Sequence, residues 1–350
     1  FDLLVDADMS DLAPLAAWMD EDFTGHARLN GGVRRAGSGA AYDIDATVAL
    51  RALRVRDGTL AALVGSNPHL ALKGSYRDRA HWRVDDAVLS QAPLRARLSA
   101  DAGSGMPSGR LHLAHARHGT LNARFQAYRP AGGPPHKRYK IALDGRAQET
   151  PFAGDLVAWQ TDAGLIAADA VALDWGNFSF SGQLAQQTAN QIAGALGFVL
   201  HPGRSERLFG IAGDGNGLIA LSYDAGGAPV LTLRASLDSL AYAPKGPPVA
   251  IAGAGEVTAT ALLGQAPGLT ARAHLQDVNL RGNRVKTLRF DANAKGGETV
   301  FTAQADFGGL SADRLTIDGR FAASADGQAL DARLTGSLGG AAVATETPLA

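Results

Sequence analysis

Leu269-Thr270-Ala271-Arg272-Ala273-His274-Leu275-Gln276 carries an apolar residue at every odd position and a polar one at every even position. Successive side chains of a β-strand point to opposite faces, so this octet reads as a strand with one apolar and one wet face. The pattern repeats downstream. Leu288, Phe290, Ala292 and Ala294 alternate with Thr287, Arg289, Asp291 and Asn293, and Phe301, Ala303, Ala305 and Phe307 with Thr302, Gln304 and Asp306. Leu315, Ile317 and Phe321 are set against Arg314, Thr316, Asp318 and Arg320. Leu330, Ala332, Leu334 and Leu338 are set against Asp331, Arg333, Thr335 and Ser337. Upstream, Leu231, Leu233, Ala235 and Leu237 alternate with Thr232, Arg234, Ser236 and Asp238.

The first apolar residues of the five downstream segments are 19, 13, 14 and 15 residues apart. Between them lie Arg281-Gly282-Asn283, Lys295-Gly296-Gly297-Glu298, Gly308-Gly309 and Asp326-Gly327, whose Gly and Asn supply the positive φ of tight reversals. Strands joined by short turns at near-constant spacing predict an antiparallel meander. Further strands are expected at 42–50, 70–76, 94–98, 121–127, 139–143, 171–175 and 178–180. A pattern of apolar, any, apolar, any, Gly recurs at 70–74, 141–145, 178–182, 249–253, 278–282 and 315–319.

Two kinds of segment break the alternation. Ser10–Met19, with its capping Ser10 and early Pro14, predicts a short helix; Thr59–Val64 predicts a helical turn and Thr188–Leu196 a second short helix. Residues 128–140 contain Pro130, Gly132, Gly133, Pro134 and Pro135 and predict a loop, a soft boundary within one repetitive architecture over 1–350.

Composition narrows the function classes. Near-balanced charge, 33 Lys and Arg against 34 Asp and Glu, offers no concentrated basic surface for nucleic acid. The absence of cysteine excludes disulfides, thiolate metal sites and a Cys nucleophile. No apolar run reaches the ~18 residues of a membrane-spanning helix. The chain starts at Phe1 without a signal-peptide pattern and stops at Ala350, which reads as a segment of something longer.

A meander with one apolar face must hide it by packing on a second sheet or by curling over itself. A packed core needs bulky fillers, yet many apolar-phase positions here carry only Ala: 271, 273, 292, 294, 303 and 305. The expectation is therefore an all-β, elongated antiparallel meander curled into an open hydrophobic groove, with a few short helices. Its expected lining is Leu231, Leu233, Leu237, Leu269, Leu275, Leu288, Phe290, Phe301, Phe307, Leu315, Ile317, Phe321, Leu330, Leu334 and Leu338. Each CH₂ in water costs about 0.8 kcal/mol, so a sixteen-carbon acyl chain costs on the order of 12 kcal/mol, which such a lining would relieve. With strands every ~16 residues stacked ~4.8 Å apart, about twenty strands would span roughly 100 Å.

Several features are similar to the TamB family, within the broader AsmA-like group. They are the strand ending Leu315-Thr-Ile-Asp-Gly319, the insert Leu60-Ala-Ala-Leu-Val-Gly65 leading into Leu70-Ala-Leu-Lys-Gly74, and Asp11-Leu-Ala-Pro-Leu15 followed by Phe23-Thr-Gly-His-Ala-Arg-Leu29. The resemblance implies a periplasmic, taco-shaped β-groove in the cell envelope, held to the inner membrane by an anchor outside these residues. It also implies an outer-membrane barrel partner of TamA type, engaged through other parts of the chain. The implied role is phospholipid passage between the membranes, support of outer-membrane protein assembly, or both.

Chemical constellations are weaker. His112, His115 and His118 invite a metal reading, but steps of three on a strand alternate faces and no carboxylate completes the set. Gly213-Asp-Gly-Asn-Gly217 lacks phosphate-loop spacing and reads as a turn. Gly-x-Ser-x-Gly and His-Glu-x-x-His are absent. The acids Asp20-Glu21-Asp22 and Asp85-Asp86 read as solvated turns, and His136-Lys137-Arg138 as a basic loop. No enzyme, cofactor or metal is expected. The competing readings are a secreted β-helix or adhesin-type structural protein, which should stack identical residues, and a β-sandwich binding domain, which should show aromatic platforms.

Overall fold

The structure is a computed structural model that describes residues 2–13, 23–35, 41–55, 65–78, 80–103, 105–130, 137–147, 149–160, 165–188, 191–204, 208–242, 251–263, 267–280, 283–295, 298–308, 313–324 and 327–345. Two compact units divide the chain, Phe1–Gln160 and Thr161–Ala350. The first contains β1 (Asp2–Met9), β2 (Phe23–Arg35), β3 (Tyr42–Val55), β4 (His69–Asp78), β5 (His81–Gln91), β6 (Leu94–Asp101), β7 (Ser108–His115), β8 (Gly119–Tyr128), β9 (Arg138–Ala147) and β10 (Thr150–Gln160). The second contains β11 (Ile166–Trp175), β12 (Phe178–Thr188), β13 (Gln191–Leu200), a turn of 3-10 helix (Leu208–Gly210), β14 (Ile211–Tyr223), β15 (Pro229–Tyr242) and β16 (Ile251–Leu262). It continues through β17 (Gly268–Leu280), β18 (Asn283–Lys295), β19 (Glu298–Asp306), β20 (Arg314–Ser324), β21 (Gly327–Leu338) and β22 (Ala341–Ala344).

Within each unit every strand pairs antiparallel with its neighbours in sequence, from β1 to β10 and from β11 to β22. The fold is an all-β antiparallel meander that is not closed into a barrel. Hairpin pairing of sequence neighbours also differs from a β-helix, whose rungs stack in parallel. Tight turns close the ladder where the residues allow positive φ. Leu338 pairs with Ala341 across Gly339-Gly340, at φ 60° and 78°, the handedness that matches strand twist.

Three local expectations change. Residues 188–196 are not helical: β12 runs to Thr188 and β13 begins at Gln191. The run Ile192-Ala-Gly-Ala-Leu196 is apolar on both faces of its strand, and such a run imitates helical spacing. Gly213–Gly217 is no turn either, since it lies inside β14. Asp85-Asp86 sits in β5 at a register shift between Val84 and Ala87, so both of those apolar residues face the same side. Within 128–140, Tyr128 ends β8 and Arg138 begins β9, the two pair directly, and residues 131–136 lie outside the described residues. Ser10–Met19 is described only over 10–13, where the Asp11 carboxylate accepts the Ala13 N–H at 2.9 Å. Thr59–Val64 and Asp20-Glu21-Asp22 lie outside the described residues.

A small core sits at one flank of the second unit. Leu275, Val278 and Val285 are buried, with Leu240, Val257, Leu288, Ala305 and Phe307 packed against them. Irregularities bring these residues together: Asp277 at φ 49° and register shifts at Leu237/Leu240 and Ala252/Ala254 turn the ends of β15–β18 over.

Candidate functional site

In an antiparallel ladder, residues directly opposite each other share a face, so register alone shows what each face collects. In the first unit it collects unbroken apolar rows. One row runs Val5, Gly31, Ala46, Leu72, Ala87, Leu98, Leu111, Ala123, Leu143, Gly154, one residue from each of ten strands. The row on one side runs from Leu3 through Ile44 and Phe125 to Leu156, and the row on the other from Ala7 through Leu70 and Leu113 to Phe152. Both are apolar throughout. With strands ~4.8 Å apart, each row extends on the order of 40 Å.

The second unit does the same across twelve strands. Its first row is Trp175, Phe178, Leu200, Gly215, Leu237, Gly255, Leu275, Leu288, Ala305, Leu315, Gly336, Val343. The next holds Phe290, Ile317 and Leu334, the third Leu233 and Phe301, and the fourth Leu231, Leu269, Phe321 and Leu330. Thirteen of the fifteen residues singled out from the sequence therefore fall on these four rows. Of the other two, Phe307 packs against the flank core and Leu338 ends β21 at 48% exposed. The first unit's rows were not singled out from the sequence at all.

The opposite face is polar. Thr270, Arg272 and His274 of β17 stand beside Asn293, Asp291 and Arg289 of β18. Cross-strand pairs tie it together, among them Arg272–Asp291 at 3.1 Å and Lys73–Asp45 at 3.3 Å.

Exposure on the apolar face is graded along the strands. Leu200, Leu237 and Leu275 in the first row are 1%, 8% and 5% exposed, whereas Leu231 and Leu269 in the fourth are 37% and 41%. One flank is closed by its own side chains and the other is open. Four phenylalanines of the apolar rows, Phe125, Phe152, Phe198 and Phe301, lie across glycines of the next strand. A Cβ added to Gly319 would meet the Phe301 ring at 2.3 Å, one on Gly217 would meet Phe198 at 2.5 Å, and one on Gly109 would meet Phe125 at 2.6 Å. Each ring covers backbone instead of projecting outward. Two glycines of the five-residue pattern have this role, Gly145 beneath Phe152 and Gly319 beneath Phe301, whereas Gly74 and Gly182 face the backbone of the next strand and Gly253 faces Val278.

Other constellations prove structural. The His115 and His118 rings stack at 4.4 Å, while His112 turns to Asn122 at 2.6 Å, so the three do not converge. Among the described residues no cluster of His, Asp or Glu is placed to hold a metal ion. Asp85 and Asp86 are ion-paired with Arg83 and Arg97 at 2.7 and 2.8 Å. Lys137 donates to the Gly105 carbonyl at 2.9 Å and Arg138 lies over Trp159. Asp174, Ser179 and His201 meet, with Ser179 Oγ 2.8 Å from His201 Nε2, but the serine hydroxyl donates to Asp174 itself. A nucleophile's base needs the carboxylate on its own second nitrogen, and this order is different. The Ser179 hydrogen bond, assisted by Arg204, holds the Asp174 carboxyl below the usual carboxylate range.

The site is thus a face, not a pocket. No protein-family model, no curated protein and no solved structure matches this chain.

Proposed function

We propose that the apolar face of this meander shelters acyl chains, and that the chain serves phospholipid transport between the inner and outer membranes without catalysing a reaction. The observation that carries this reading is the continuity of the rows. Every strand of each unit contributes an apolar or glycine residue to one shared line, Thr299 alone interrupts the fourth row of the second unit among the named rows, and Phe125, Phe152, Phe198 and Phe301 lie across glycines along them. A binding pocket for one small molecule needs no such continuity, whereas a slide for hydrocarbon does. Contacts of this kind have no directional chemistry, so the lining accepts acyl chains by length and apolarity, at about 0.8 kcal/mol per sheltered CH₂. The similarity to the TamB family supports a periplasmic setting and a TamA-type barrel as the partner of the longer chain.

Site-specific photo-crosslinking tests the reading. A photoreactive residue at Leu269, on the open side of the apolar face, is expected to capture phospholipid in cells; one at Thr270, on the polar face, is not. Adducts at both positions or at neither would reject the sheltering role. An adduct of outer-membrane polypeptide at Leu269 would reassign the face to protein assembly.

A further inference from the structure

The polar face of the first unit holds an arrangement that the acyl-chain reading does not use. At several places on the polar faces a cation stands next to an acid, as in Lys73–Asp45, Arg97–Asp86 and Arg272–Asp291. Arg110 of β7 instead stands directly opposite Arg124 of β8, the one place among the described ladders where two arginines face each other. Both are exposed, and neither makes an ion pair or side-chain hydrogen bond among the described residues. Their outer neighbours in the row are small, Ser99 beside Arg110 and Ala142 beside Arg124, which leaves a cleft of about 890 Å³. Lys140 and Gln126 line the same cleft. Of its acids, Asp85 is held by Arg83 at 2.7 Å and Asp101 accepts the Gly103 N–H at 2.8 Å, while Asp155 lies on β10 beyond Ala142.

Like charges directly opposite on a sheet destabilise it, and here no described residue forms an ion pair with either arginine. Each guanidinium keeps its planar fork of donors free, the geometry that matches two oxygens of an oxyanion. Arg110, Arg124 and Lys140 bring three positive charges to the cleft against the carboxylates of Asp101 and Asp155, and a phosphate offers more acceptor oxygens than a carboxylate does.

We propose that Arg110 and Arg124, with Lys140 and Ser99, form a binding site for a phosphate group. The sheet lies between this site and the apolar rows, so a lipid sheltered on those rows cannot place its headgroup here. The assignment is therefore independent of the acyl-chain reading. The phosphate belongs either to a soluble ester or to the headgroup layer of a membrane touching the polar face.

Binding of glycerol 3-phosphate to the 350-residue chain, followed by ³¹P NMR at constant ionic strength in chloride, forms one arm. Co-sedimentation with phosphatidylglycerol and phosphatidylcholine vesicles forms the other. Arg110→Gln and Arg124→Gln are each expected to weaken phosphate binding about tenfold or more, the loss of one charge-assisted contact set. Arg124→Lys should fall between, and Arg272→Gln, in an ion pair of the second unit, should bind like the parent. In chloride alone Arg124→Gln should melt above the parent, because it relieves a like-charge pair, which also verifies that the variant folds. Binding in the soluble arm assigns an ester, and arginine-dependent binding only to vesicles assigns a headgroup. Equal affinity of the parent and Arg124→Gln in both arms, or saturable binding in neither, overturns the site.

Discussion

Phe301 of β19 lies across Gly319 of β20, close enough that a Cβ on the glycine would meet its ring at 2.3 Å. The obstacle there is the far end of a side chain that can rotate. At Gly255 of β16 the obstacle is backbone: φ is 148° and a Cβ would stand 2.0 Å from the His274 carbonyl oxygen. Gly319→Ala is therefore expected to cost about 1 kcal/mol, as Phe301 swings off the sheet. Gly255→Ala is expected to cost about 2–4 kcal/mol, through strain and backbone displacement together. Urea unfolding of both variants checks the order; equal costs would mean the ring is as immovable as the backbone.

Leu275 and Leu269 share β17 and the same face, yet differ in burial, at 5% and 41% exposed. Leu275→Ala empties a site within the flank core and is expected to cost about 2–4 kcal/mol. Leu269→Ala removes a side chain that is already partly wet and should cost less than about 1 kcal/mol. If the open side shelters hydrocarbon, Leu269→Asp should lower phospholipid capture at a photoreactive residue placed at Leu231 several-fold while the fold persists. Unchanged capture would place the hydrocarbon elsewhere.

The strand content of the second half was legible because β17 to β21 alternate with few interruptions, and register then follows from which face must be apolar. The first half hid the same rows. In β5 the bulge at Asp85-Asp86 puts two acids in succession and lets Val84 and Ala87 face one side, which cancels a period of two. In β10, Pro151, Gly154 and Asp155 interrupt the pattern, although Phe152 and Leu156 lie on the rows. The glycines of β14 read as a turn because nothing local reveals that Phe198 and Leu237, from the strands on either side, cover them. The same limit hides the Arg110–Arg124 pair, since residues fourteen apart become neighbours only through register.

Asn177 is the one fully buried polar side chain among the described residues, at 0% exposed. Its side chain donates to the Ile211 carbonyl at 2.9 Å and accepts the Leu208 N–H at 3.0 Å, fastening the 3-10 turn over the β11–β12 hairpin. Asn177→Ala leaves both backbone groups unpaired beside buried Leu200 and Leu208 and should cost about 2–4 kcal/mol. Hydrogen exchange should locate the loss at Leu208 and Ile211. A loss spread evenly over the second unit would argue against a local fastening.

Asp306 sets an acid limit on the second unit. It receives Arg314 Nε at 2.5 Å and the Thr287 hydroxyl at 2.9 Å, and the Arg314 hydrogen bond is the main cause holding its carboxyl below the usual range. A carboxyl depressed by folding favours the charged form, so the stability it contributes is present above the unfolded carboxylate pKa of about 4. That contribution fades as pH falls through the lower folded value. Asp306→Asn keeps the shape and removes the titration. The variant should therefore unfold at lower urea than the parent at pH 7, with the gap closing between about pH 4 and pH 2. A gap that stays constant over that range would show that packing around Asp306, not its charge, stabilises these ends of β18, β19 and β20.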